Sequence, residues 1–583
     1  METPKPAQMT AQTAVNCHRN ARRRGNMKWK EYFFFSVLIW ISALAAALPC
    51  RVDADPIEVG HPVYDLLRRG EALGSVPLGF TSTLPKDRSV ILHALKALTQ
   101  GDDAWMREKA AEMSRALDWP SLAKSSRLVL AEGELVGGLS ANYFTAGVWQ
   151  DSLPNPQAYA FGSFALEATG TFREKLFATS QAFLGMERSR EARFLETYNP
   201  AQGMAYNTNR EGKAGKLQGV STFDGFRTVF GYDESHLRFE IGQDWNTWGP
   251  GVFQHATLGP NPWFWVQDSL AASDTVGFPG SLHPGGYRRG FRRPGEASPM
   301  PQARFIFTYG PFEYTKVIAE RKGLWNDSAA WMVAHRLQWQ ANRRLSLAAT
   351  EMVLIGGRMP DFVYLLPMVP IKYAEHQAGD RDNTAIAMDV TALLPGRVRA
   401  YGELLLDDFS GFPLSFWGNK YAVTFGASAV NPGLPRTDFH AEYAMVSPWV
   451  FTHHRRDTQM QSYGALLGSR LPADAQALNL WAVHHWNLAM DWSLGYDWQQ
   501  RTVGSRAASP FSVHELDIDG DRSSFLDGPL EHRHQVRWGV TWRWARYLEM
   551  QGEMGWLWVS SWRGMEGRDL STPTLEGHVN LRY

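Results

Sequence analysis

Cysteine is nearly absent: the 583-residue chain has 2, Cys17 and Cys50. Both precede Ala54, so beyond that point there is no disulfide and no thiolate to hold a metal. Net charge is missing too, because 59 basic residues balance 59 acidic ones. Whole-chain electrostatics therefore argue against a nucleic-acid partner. No run after residue 54 is apolar enough to cross a bilayer as a helix. The Gly-x-Ser-x-Gly elbow of serine hydrolases does not occur.

Aromatic residues are abundant, with 24 Trp, 19 Tyr and 31 Phe. The mean hydropathy is nevertheless negative, at −0.32. That combination suits a membrane interface better than a soluble core. The first 54 residues have the order of a secretory signal. Arg22, Arg23, Arg24, Lys28 and Lys30 precede the uncharged run Tyr32–Leu48, and Val52-Asp53-Ala54 fits small-x-small cleavage. The long basic region makes Met27 an alternative start. A retained anchor is the competing reading, at a length marginal for spanning. Pro49 argues against lipidation at Cys50.

Residues 55–137 form an expected helical domain. Helices are predicted from Val63, after Asp87 as cap, from about Asp103 and over Leu122–Glu132. Such a domain is a structural lid, a barrel plug or a partner-binding module. From about residue 138 to the end the hydrophobic period becomes 2. Val536, Trp538, Val540, Trp542 and Trp544 alternate with Arg537, Gly539, Thr541 and Arg543. In a soluble sandwich the outward face is polar. Strands with several large aromatics on one face and charges on the other fit a lipid-facing exterior and a hydrated lumen. The terminal Leu575, Gly577, Val579, Leu581 and Tyr583 also alternate, as in the last strand by which such barrels are assembled.

The fold expected is mainly β: a transmembrane antiparallel β-barrel of roughly 16 to 18 strands with a small N-terminal periplasmic α-helical bundle. Counting back from the last strand puts short connections near 545–547, 487, 430–437, 393–396, 340–344, 310–311 and 231–234 on the periplasmic side. Longer ones, 246–302 above all, fall outside. Between Phe172 and Asn209 no strand assignment stands out. The strand Leu237–Ile241 points Arg238 and Glu240 to one face, and Trp248-Gly249-Pro250-Gly251 ends it. That ending is expected to be an exit from the membrane into the longest surface loop.

Nothing forms a clear catalytic, metal or cofactor motif. Arg537 and Arg543 are expected to pair with Glu549 and Glu553 across a hairpin, as structural ion pairs in the lumen. His532 and His534 share a face but lack further ligands. Glu515-Leu-Asp517-Ile-Asp519-Gly520 opens like a calcium loop, yet Leu526 stands where its bidentate Glu belongs. Ser462, His453, His454 and Asp457 are neighbours in one loop, without further sign of a triad. The strongest binding candidates are Trp248, Trp263, Trp265, Tyr287, Arg288, Arg289, Arg292 and Arg293 in the loop 246–302. Flat aromatics stack on sugar rings, and arginines pair with uronate or phosphate groups. The competing reading bridges these arginines to lipopolysaccharide phosphates or folds them into the pore.

Taken together, Gly242-Gln243-Asp244-Trp245…Trp248-Gly249-Pro250-Gly251, Ala297-Ser298-Pro299-Met300-Pro301, Asp382-Asn383, Asp389, Tyr401-Gly-Glu403-Leu-Leu-Leu-Asp407-Asp408 and Glu442-Tyr443…Ser447-Pro448-Trp449-Val450-Phe451 resemble the Wzi-type capsule assembly proteins of the Gram-negative outer membrane. The chain departs from the family's pattern after WGPG, where His255-Ala-Thr-Leu-Gly-Pro-Asn-Pro and an aromatic, arginine-rich piece follow. The resemblance implies a closed barrel with a periplasmic helical bundle. It implies a lectin-like, non-enzymatic anchor for capsular or exopolysaccharide, set in lipid and lipopolysaccharide and inserted by the barrel assembly machinery. A diffusion channel and an outer-membrane hydrolase are the alternatives.

Overall fold

The computed structural model describes residues 55–57, 59, 61–117, 128–130, 133–150, 158–172, 175–188, 205–207, 220–259, 264–267, 275–278, 299–322, 329–413, 415–462, 465–508, 512–544, 548–561 and 564–581. Among them, eighteen long antiparallel strands close into one barrel. In chain order β1 to β9 are Gly133–Gln150, Ala158–Phe172, Leu176–Arg188, Val220–Glu234, Leu237–Asp244, Met300–Tyr309, Phe312–Lys322, Ala329–Asn342 and Leu345–Gly356. Strands β10 to β18 are Asn383–Leu394, Val398–Asp408, Lys420–Val430, Thr437–Val446, Ala475–His485, Met490–Thr502, Leu530–Trp544, Leu548–Ser560 and Leu570–Leu581. Closure runs through β18 on β1, from Glu576 opposite Trp149 to Leu581 opposite Phe144. A closed ring leaves no unpaired edge, which lipid requires.

The side-chain alternation is inverted relative to a soluble protein. On β16, Val536, Trp538 and Trp544 are 40%, 39% and 65% exposed, while Arg537 between them is 2% exposed. On β5, Leu237 and Ile241 face out and Arg238 and Glu240 are buried. Apolar side chains outside and paired charges inside match a barrel in a bilayer. Connections alternate as expected: short turns at 310–311, 343–344, 395–397 and 431–436 face long excursions at 357–382, 447–474 and 503–529. Among the described residues of the stretch 172–220 there is one long strand, β3, with the short segment Ala205–Asn207 beside β4. The even strand number brings both ends of the barrel chain to the short-turn rim, the periplasmic side in such barrels.

Among the described residues, three helices precede the barrel: α1 Val63–Ala72, α2 Arg88–Thr99 and α3 Ala104–Leu117. Of the apolar stripe Val90, Ile91, Ala94, Leu95 and Leu98 that the sequence predicts for α2, the last four are buried and pack with Val63, Leu67, Met106 and Ala110, while Val90 is exposed. Asp87 precedes α2 without making a side-chain cap; its carboxylate instead meets Arg238 of β5 at 2.8 Å. The expected fourth helix over Leu122–Glu132 fails where it is described. Leu128–Leu130 is extended and pairs with Gly133–Leu135, so the barrel begins before residue 138.

The bundle is a plug. Arg69 of α1 donates to both oxygens of Asp438 on β13, at 3.1 and 3.2 Å. Lys109 of α3 donates to the Leu488 carbonyl in the β14–β15 turn at 2.9 Å. The segment after α1 reaches into the bore, where Gln338 of β8 donates to the Gly79 carbonyl at 2.9 Å. Glu71 and Arg399 of β11 form an ion pair at 2.6 Å with both side chains wholly buried. Residues 1–54, and with them the expected signal, lie outside the described residues.

Candidate functional site

The WGPG stretch turns inward, which corrects the expected exit to the surface. After β5, Thr247–Trp248 pairs with Thr83–Leu84 of the plug. The backbone N–H of Gly249 donates to the Ser82 carbonyl at 2.9 Å. Trp248 is 1% exposed and sits in the lumenal core with Ala256 and Leu258. The lumen wall supplies the acceptors that make this possible. Glu442 of β13 accepts the N–H groups of Val252 at 2.7 Å, Phe253 at 3.2 Å and Gln254 at 2.7 Å, and the Tyr401 hydroxyl at 2.7 Å. Glu403 of β11 accepts Ala256 N–H at 3.2 Å. Gly249 has φ 106°, which favours glycine, and a Cβ there would also meet a Glu403 oxygen at 2.7 Å. His255 in this loop is buried, and burial pushes its pKa down to about 3, keeping it neutral.

A second excursion, between β13 and β14, also folds into the bore. Val450, Phe451, Met460 and Leu471 pack on the inward residues Val317, Met332 and Leu354. Trp449 and Phe451 adopt left-handed backbone at φ 66° and 70°, uncommon for aromatic residues. Asp407 fixes this turn by accepting Phe451 N–H at 2.9 Å. A bulge between Leu406 and Asp408 makes Asp407 the extra residue of its strand. Arg321 of β7 donates to the carbonyls of Gln459 and Gln461 at 2.9 and 2.6 Å. Burial lowers the His453 pKa to about 3, and the ring pairs with the Thr458 hydroxyl at 2.6 Å. Asp457 is engaged by Arg455 at 3.0 Å.

The remaining lumen is charged and paired. Arg304 of β6 reaches Glu240 at 2.6 Å and Asp244 at 2.9 Å, and Arg227 of β4 reaches Asp244 at 2.6 Å. Arg336 of β8 grips Asp389 of β10 through two bonds of 2.5 and 3.1 Å. The four lumenal ion-pair residues expected from sequence are brought together: Arg543 meets Glu549 at 2.9 Å, and Arg537 meets Glu553 at 3.6 Å. Sequence reasoning missed the acids on their other side, Asp491 at 2.8 Å from Arg543 and Asp497 against Arg537. Their β15–β16 pairing sets Asp497 opposite Gln535, a register that a long outer loop hides. A cavity of about 140 Å³ remains between α1, α3 and the wall, lined by Arg69, Trp105, Asp438, Trp481 and Arg537.

Of the glycan candidates, Trp248 lies inside the bore and is not available at the surface. Trp265 falls in the short strand Phe264–Gln267, which pairs with Thr275–Phe278 and, through Phe264, with Ala465 of the second infolded excursion. Trp263, Tyr287, Arg288, Arg289, Arg292 and Arg293 lie outside the described residues. A group that sequence reasoning missed stands at the long-loop rim. Phe409 and Phe412 are 56% and 86% exposed, and Trp417 stacks on His514 at 3.8 Å. Their signal was the aromatic spacing in Asp408-Phe409-Ser-Gly-Phe412…Phe416-Trp417. The acidic calcium-like loop is satisfied by an arginine, since Asp519 and Glu515 each meet Arg506 at 3.0 Å. Glu375, His376 and Asp380 have ligand atoms within 4.8 Å of one another, but Glu375 already holds Lys372 at 2.6 Å.

Fold and lumen together define an outer-membrane β-barrel plugged by its own chain. No protein-family model matches the sequence, and no curated protein sequence matches it. In structure the chain is similar to Wzi of Escherichia coli, described as a carbohydrate-binding β-barrel involved in group 1 capsule assembly. The TM-score is 0.55 at 12% identity, over 91% of this chain and 99% of that one. It is also similar to OpdK of Pseudomonas aeruginosa, with a TM-score of 0.42 at 10% identity over 76% and 98%. OprD of the same organism gives 0.39 at 7% identity, over 76% and 95%. At such identities these are likenesses of fold.

Proposed function

We propose that the protein binds capsular or exopolysaccharide at its long-loop face and anchors it to the cell without turning it over. The observation that carries this reading is how far the described part of the bore is filled. Along the wall from β4 to β15 the plug and two infolded excursions occupy the lumen and are bonded to it. A protein so filled is built to hold rather than to conduct. The likeness to Wzi, itself described as carbohydrate-binding, supports the same direction. The wall carboxylates Glu403, Asp407 and Glu442, which a hydrolase would need free, are spent on backbone N–H groups. The ligand surface is assigned to Phe409, Phe412 and Trp417 together with Trp263, Trp265, Tyr287, Arg288, Arg289, Arg292 and Arg293. The leader 1–54 supplies export and the terminal strand recognition by the barrel assembly machinery.

The test is binding of the purified barrel to the host's own polysaccharide. Phe412→Ala, or Arg288→Ala with Arg292→Ala, should weaken Kd by about tenfold, the equivalent of about 1.4 kcal/mol. Deleting the gene should leave polymer synthesised but shed into the medium. Absence of binding, or polymer still held by the deletion strain, would sink the reading.

A further inference from the structure

The excursion between β9 and β10, residues 357–382, lies neither on the rim nor in the bore. It contains two short helices, α4 Phe362–Leu365 and α5 Ile371–Gln377. On β8 the inward residues are Met332, Ala334 and Arg336; on β9 they are Thr350, Met352 and Leu354. The outward positions between them, Val333, Val353 and Ile355, should face lipid, yet each is 0% exposed. They are covered by Tyr364, Ile371 and Ala374 of this excursion. Lower on β8, the outward Leu337 and Trp339 remain 45% and 42% exposed. The chain therefore doubles back down the outside of the barrel as a strap.

The wall beneath the strap carries polar residues at outward positions, where a lipid-facing strand disfavours them. Each is used by the strap. Tyr314 of β7 accepts Met368 N–H at 3.0 Å, and Lys316 donates to the Leu366 carbonyl at 2.6 Å. Glu351 of β9 accepts Ile371 N–H at 2.7 Å, braced by His335 at 3.0 Å. These bonds cluster at the tip, Leu366-Pro367-Met368-Val369-Pro370-Ile371, where two prolines also remove N–H donors. Non-helical backbone survives at membrane depth only when protein satisfies its polar groups. The uncharged run Phe362–Ile371 is flanked by Arg358 and Asp361 on one side and by Lys372, Glu375 and His376 on the other. On the surface away from the barrel, Phe362, Met368 and Tyr373 are 75%, 62% and 72% exposed.

We propose that the strap 357–382 is a re-entrant element immersed in the membrane, its Phe362, Met368 and Tyr373 side chains in contact with acyl chains. Continuity with the exposed Leu337 and Trp339 on the same wall selects lipid as the occupant. A wall that merely met lipid would need no tyrosine, lysine and glutamate there; a wall that must hold backbone in lipid does. The inference rests on the barrel fold and is independent of what the long-loop face binds.

The chain offers a clean test, because its only cysteines, Cys17 and Cys50, can be changed to serine. Single cysteines at Met368→Cys, Phe362→Cys and, as control, Phe412→Cys are labelled with an environment-sensitive fluorophore. Folding of each variant is checked by heat-modifiable migration, and two strap positions guard against one that fails to fold. In nanodiscs, lipids brominated on the acyl chains should quench the strap labels at least threefold more than the Phe412 label. Aqueous iodide should show the reverse order. Equal iodide quenching at all three sites would overturn the proposal. So would efficient disulfide cross-linking of two Met368→Cys chains, which would make a second copy the occupant.

Discussion

At Glu442 one carboxylate takes three successive backbone N–H groups and a tyrosine hydroxyl, of which all but the Val252 N–H are fully buried. Truncation leaves those donors buried without an acceptor, at about 1–3 kcal/mol for each. Glu442→Ala is therefore expected to destabilise the barrel by several times the effect of removing an exposed acid such as Asp517. Heat-modifiable migration measures it: a midpoint for Glu442→Ala equal to that of Asp517→Ala would refute the role. The resemblance motifs already contained Glu403, Asp407 and Glu442, so their importance was legible in the sequence. Their partners were not. Glu442 and Val252 are 190 positions apart, and nothing in either local pattern encodes that meeting. Arg543 with Glu549 was legible because a short turn fixes the register of its hairpin.

Among the elements, strands and short turns followed from the period of 2, while the direction of the long excursions did not. Length alone cannot say whether a loop rises into water, folds into the bore or lies on the outer wall. The WGPG loop and the 447–474 excursion go inward because wall carboxylates and Arg321 receive them, and each carries a neutral histidine, His255 buried and His453 half-buried. That arrangement has a pH signature. His255 and His453 have folded pKa values near 3, against about 6.5 for an unperturbed histidine. Between those values the unfolded form of each loop binds a proton that the packed form does not, so packing weakens as pH falls. The loss sets in as pH falls below about 6.5, grows towards the folded values, and is absent above pH 7. Protease cleavage within 249–259 should therefore rise steeply from pH 6.5 to 4.5. His255→Gln, which keeps a polar amide but does not titrate, should flatten that rise. An equally steep profile in the variant would remove His255 as its source.

For the molecule as a whole, the tryptophan count and the parity of loop lengths disclosed the barrel, but neither says whether its bore is open. The answer lies in contacts between distant segments, of which the Glu71–Arg399 pair is the most deeply buried. Glu71 also accepts the Thr81 N–H at 2.8 Å and its hydroxyl at 2.9 Å, and Arg399 donates to the Pro250 carbonyl at 3.1 Å. One ion pair thus joins plug, wall and infolded loop. Removing only one charge strands the other in the bore, at about 3–5 kcal/mol. In planar bilayers the native protein is expected to be silent, and Arg399→Met to show intermittent openings as the plug loosens. The double variant Glu71→Gln, Arg399→Met keeps an amide oxygen for Thr81 and removes the stranded charge, so it should return towards silence. A steady open conductance in the native protein would instead favour a diffusion channel. Openings of equal frequency in the single and double variants would show that the stranded carboxylate is not what releases the plug.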